Sequence, residues 1–78
     1  VSLHWKDISG TAEWLSLKEA INSKVIICIS NGWLIRADKE VHIVAADVNF
    51  NADGTLGDVG GVTTIPTVNV LKIKKVSL

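Results

Sequence analysis

Cys28 is the one thiol of this chain, and His4 and His42 are its two imidazoles. Dithiol chemistry needs a second cysteine to resolve the first, so one thiol excludes it. A lone thiol still permits peroxidase-like chemistry, but Cys28 sits in Val25-Ile26-Ile27-Cys28-Ile29, where a packed, inert thiol is expected. A zinc site takes three or four ligands at close spacing. His4, His42, Cys28 and an aspartate are the only set on offer, and they are scattered along the chain. The histidines are therefore expected to be ordinary strand or surface residues.

His42 with Asp38, Asp47 and several serines meets the composition of a Ser-His-Asp triad, but no Gly-x-Ser-x-Gly elbow presents a nucleophile. Glu13, Glu19 and Glu40 read as solvated carboxylates. Gly54, Gly57, Gly60 and Gly61 are spaced Gly-x-x-Gly-x-x-Gly-Gly. That is neither the dinucleotide nor the phosphate-loop pattern, and turn or bulge geometry is expected instead. The chain is expected to be no enzyme, with no catalytic residues, no cofactor and no metal.

The elements that must position these groups follow from composition and periodicity. The chain has 78 residues, 47% hydrophobic and 21% charged, and suits a single domain over 1–78. Eight basic residues balance eight acidic ones. Zero net charge leaves no electrostatic footprint for nucleic acid or a membrane surface, and it weakens the charge repulsion that keeps copies apart. The partner expectations are therefore no nucleic acid, no membrane and weak self-association. No apolar run reaches the ~18 residues of a membrane span. No signal peptide is read, and the expected location, for a natural or recombinant chain, is cytoplasmic. A start at Val1 fits a processed fragment or an engineered chain.

Ser2 to Ile8 alternates with period two and predicts a strand. Ser9-Gly10-Thr11 breaks it, with Thr11 as a candidate helix cap. Trp14, Leu17 and Ile21 share one face at helical spacing, which predicts the main helix at about 12–22. Val25 to Ile29 is β-branched and apolar, and predicts a central strand covered on both faces. Asn31-Gly32 predicts a tight hairpin. Val41 to Phe50 predicts another strand, and Asn51 to Gly54 a turn. Thr67 to Ser77 predicts a last strand that Pro66 opens and that Lys72, Lys74 and Lys75 guard as an exposed edge.

Gly61-Val62-Thr63-Thr64-Ile65-Pro66-Thr67 with Lys72 resembles the end of the thioredoxin pattern, where a cis proline faces the redox motif. Val25 to Trp33 and Ala46-Asp47-Val48 resemble that family's central strands. Leu34-Ile35-Arg36-Ala37 stands where the family has Cys-x-x-Cys, so the resemblance implies a contact surface without redox activity. Ile8-Ser9-Gly10, Asp53 to Asp58 and Thr67 to Leu71 resemble the ubiquitin-like β-grasp. That resemblance implies a helix over 23–34 and a sheet face used for protein contacts. Asn31-Gly32 through Ala46-Asp47-Val48 to Asp53-Gly54 is similar to the small β-domain that opens amidohydrolases.

The expected fold is α+β, a two-layer α/β sandwich. It has a mixed sheet of four or five strands and one main helix at about 12–22 packed on one face. The expected core is Leu3, Trp5, Trp14, Leu17, Ile21, Ile27, Ile29, Ile43, Phe50, Val68 and Val70. The expected function is that of a non-catalytic small folded domain, such as an engineered or designed protein without an evolved ligand. The alternative is a degenerate thioredoxin-like or β-grasp protein-interaction module.

Overall fold

A computed structural model describes residues 1–8, 10 and 12–76. The described chain runs β1 (Ser2–Asp7), α1 (Leu17–Ile21), β2 (Ile26–Asn31), β3 (Trp33–Ala37), β4 (Val41–Phe50) and β5 (Leu56–Pro66). A 3-10 turn over Thr67–Asn69 then leads into β6 (Val70–Lys74). The strands form two three-stranded sheets, ordered β2-β1-β6 and β3-β4-β5, and every pairing is antiparallel. The strands at Ser2, Ile26 and Val41 arise where alternation and β-branched residues predict them.

The sheets meet at a corner that the Asn31-Gly32 dipeptide builds. A hairpin is expected there, yet β2 runs into β3 with only Gly32 between them. The chain leaves one sheet and enters the other without reversing. Gly32 is not among the left-handed glycines; it is needed for close approach. A Cβ on it would overlap the Ala45 carbonyl oxygen and lie 2.9 Å from the carbonyl carbon. Its backbone also exchanges two hydrogen bonds with Val1, at 2.6 and 3.0 Å. On the opposite edges, β5 passes through the 3-10 turn into β6 and joins the sheets a second time.

The two layers touch through Leu3 of β1 and Val44 and Ile65 of β4 and β5, with Val1, Trp5 and Val70 packed around them. Ala45 completes the buried residues among those described. This core is far smaller than the expected one. Trp5 and Val70 stand at its margin, whereas Trp14, Leu17, Ile21, Ile27, Ile29, Phe50 and Val68 are exposed.

The α+β sandwich with one main helix is therefore replaced by a mainly β fold, and the mixed sheet by two antiparallel ones. The helix is confined to Leu17–Ile21, and its apolar face meets no sheet: Trp14 is 100%, Leu17 77% and Ile21 72% exposed. An isolated helix this short gains too little from propagation to extend itself. Its cap is Ser16, whose hydroxyl accepts from the Glu19 amide at 3.1 Å and donates to the Glu19 carboxylate at 2.9 Å. Thr11, the expected cap, lies outside the described residues, as do Ser9 of the predicted break and Ser77 at the predicted end of the last strand. Residues 26–31 are strand, not β-grasp helix.

The glycine run serves the β4–β5 hairpin. Gly54 takes φ 86° in the turn, and Gly61 takes φ 60° within β5. Between Val48 and Phe50 the register shifts, so Gly57 and Asp58 face Asn49 across a bulge. The Asp58 amide donates to Asn49 Oδ1 at 2.7 Å, and a Cβ on Gly57 would overlap that same oxygen. Pro66 closes β5 opposite Val41 instead of opening β6, and no peptide bond among the described residues is cis.

Candidate functional site

Three places gather groups that do chemistry or contact. The first is the turn between β3 and β4. Asp38 accepts backbone hydrogen bonds from Glu40 and Val41 at 2.8 and 2.9 Å and pairs with the Arg36 guanidinium. The two amides, then Arg36, hold its carboxyl down at about 2. A carboxylate so engaged holds the turn closed.

Beside it, His42 Nδ1 lies 2.9 Å from Thr67 Oγ1, and Thr67 Oγ1 lies 2.6 Å from the Asp38 carbonyl oxygen. A carbonyl only accepts, so the single hydroxyl proton of Thr67 goes to Asp38. Thr67 must then accept from His42, which fixes the proton on Nδ1. A base that activates a nucleophile has to receive the hydroxyl proton. Here the flow is reversed, and the trio braces the turn against the 3-10 segment. The Thr67 amide adds a bond to Glu40 O at 2.9 Å. The structure thus brings His42 and Asp38 together but directs the Asp38 carboxylate to backbone amides, while Asp47 stands in the β4–β5 arm opposite Gly60.

The other sequence candidates do not converge. His4 sits on β1 opposite Ile29, in the other sheet from His42. Cys28 is half-buried on β2 opposite Trp5, whose indole N–H donates to Ser30 Oγ at 3.0 Å. Among the described residues no three metal-ligating side chains cluster.

The second place is an apolar groove of about 380 Å³ at the corner between the sheets, lined by Val1, Asn31, Trp33, Leu34 and Val76 with Lys75 at its rim. The third is the apolar surface of β2. Ile26, Ile27 and Ile29 are all more than half exposed on an edge strand that was expected to be central and covered. Sequence reasoning found this segment by its composition and misplaced it, since a continuous apolar run reads the same at the centre of a sheet or at its edge. The corner groove left no local signal, because it joins residues from both ends and the middle of the chain. Set against family models, curated proteins and solved structures, the chain matches none.

Proposed function

We propose that this chain is a non-catalytic β-module that works through contact, with its exposed apolar sheet surface as the working face. One observation carries the reading. The chain exposes 6182 Å², against about 4,600 Å² for a compact monomer of its 8.4 kDa mass. Large apolar side chains stand exposed on the sheets, Ile27 and Ile29 on β2, Trp33 and Leu34 on β3, Leu71 and Ile73 on β6, and still more so at Trp14, Val68 and Ile8 outside the strands. Apolar side chains left open on the strands of a sheet suit a surface that works by contact.

The polar groups support the same reading. Thr67 gives its proton to a carbonyl, Asp38 gives its carboxylate to the backbone, and Cys28 faces an indole across the strand pair. Polar groups engaged in this way favour a non-catalytic module, and the exposed apolar residues favour one with a partner. It leans on the exposed faces alone and on no family resemblance.

Small-angle scattering of the dilute chain tests it. The expected radius of gyration is close to 16.6 Å. A value of about 11–12 Å, that of a compact 78-residue globule, would mean that the apolar faces cover one another and would overturn the proposal.

A further inference from the structure

The β2 edge has a polarity that can be read from one pair of hydrogen bonds. Val1 and Gly32 exchange both backbone bonds, N–H of each to C=O of the other. Antiparallel ladders alternate bonded and non-bonded pairs, and the β1–β2 register is unbroken from Ser2↔Asn31 to Asp7↔Ile26. Leu3↔Ser30, Trp5↔Cys28 and Asp7↔Ile26 are therefore the bonded pairs. The N–H and C=O groups of Ile27, Ile29 and Asn31 point the other way, to the open edge of the sheet, where no strand among the described residues pairs with β2.

That edge carries none of the devices that block strand addition. Val25 to Ile29 has no charge, no proline and no glycine. β6, the opposite edge of the same sheet, carries Lys72 and Lys74. Ile26, Ile27 and Ile29 along this edge are all more than half exposed, so a strand laid against it would cover apolar side chains as well as backbone groups. Zero net charge opposes no second copy of the same chain.

We infer that β2 is a self-pairing edge: two copies join β2 to β2 antiparallel about a two-fold axis, giving the continuous sheet β6-β1-β2-β2-β1-β6. The inference rests on the contact-module reading above and names its partner. The register follows from the polarity. Only residues whose backbone groups point outward can form the bonded pairs, so Ile27, Ile29 and Asn31 must face one another or Val25. The longest overlap sets Ile27 against the partner's Ile29 and Val25 against the partner's Asn31. It places Cys28 opposite the partner's Cys28 on the axis, as a non-bonded pair with Cα atoms about 4.5 Å apart. The isoleucines at 27 and 29 of both copies then form one apolar patch on the outer face, beside His4 and Lys6 of each β1.

Light scattering on the full chain across a dilution series, with a short bismaleimide to link Cys28 to Cys28, tests the inference. The expected result is twice the monomer mass at the concentrated end and a Cys28-dependent covalent dimer. Ile27→Pro is the diagnostic variant, because the Ile27 amide makes no bond to β1 and proline there spares the monomer's ladder. It removes one edge bond per copy, each worth about tenfold, and should weaken the dimer about a hundredfold. Cys28→Ser should still dimerise while losing the cross-link. A monomer mass throughout overturns the inference, as does a dimer that Ile27→Pro leaves intact. An extended monomer at every concentration sinks this pairing alone, whereas a compact monomer sinks the contact-module reading as well.

Discussion

Gly32 decides more than any other single residue. The dipeptide it closes has the composition of a hairpin turn, yet the backbone there neither reverses nor enters the left-handed region. What the position needs is the absence of a Cβ beside the Ala45 carbonyl. Gly32→Ala is expected to destabilise the chain by about 3 kcal/mol, since backbone cannot step aside as a side chain can. Urea unfolding measures it, and a loss under about 0.5 kcal/mol, the range of an ordinary surface change, would refute the corner geometry. Asp38 supplies a second test at this scale. Its folded value of about 2 lies below the ordinary 3.8. Its contribution to the turn is therefore complete above 3.8 and is lost as the pH falls through about 2. An NMR titration of the Asp38 carboxyl should show that depressed midpoint, and Arg36→Ala should raise it only in part, because the Glu40 and Val41 amides remain.

At the scale of elements, the strands at Ser2, Ile26 and Val41 were legible, whereas β5 over Leu56–Pro66, expected to be turn or bulge through its glycines, and the limits of the helix were not. Those strands rest on alternation and β-branching, which act within each segment and survive whatever packs on top. Residues 12–22 show a genuine apolar stripe, but a stripe gives a long helix only where something covers it. Nothing among the described residues does, so a single turn and a half at Leu17–Ile21 remains, held by the Ser16 cap. Leu17→Ala should therefore change stability by less than about 0.5 kcal/mol. Leu3→Ala, at the fully buried contact between the sheets, should cost about 2–5 kcal/mol. Thermal melts of the two variants separate this fold from a helix-on-sheet sandwich, in which both losses would be large. The β4–β5 hairpin was half legible. Its turn at Asn51 to Gly54 follows from residue type, while the bulge at Asn49 depends on a cross-strand contact with Gly57.

At the scale of the molecule, the extents of 59 × 24 × 23 Å describe an extended body with a very small interior. Burial of Leu3, Val44, Ala45 and Ile65 alone is slight beside the ordering cost of a chain this long. Covering the β2 edge would add to the stabilisation, and a chain that associates in the folded state becomes harder to unfold as it is concentrated. The melting temperature should accordingly rise with concentration for the parent chain and stay flat for Ile27→Pro, as calorimetry at several concentrations can show. A flat parent curve would indicate that folding gains nothing from a second copy.

The sequence by itself determined some local states: the strands that start at Ser2, Ile26 and Val41, the turn from Asn51 to Gly54, and that one thiol and two imidazoles form no recognisable redox or zinc motif. These follow from side-chain shape, backbone freedom and residue identity, which belong to the chain wherever it goes. Tertiary structure alone decided which strands are central, which apolar faces stay open, and whether Gly32 is a turn or a corner. Each of those depends on what lies across a gap from the residue, and periodicity records only that a side chain prefers to be covered, never by what.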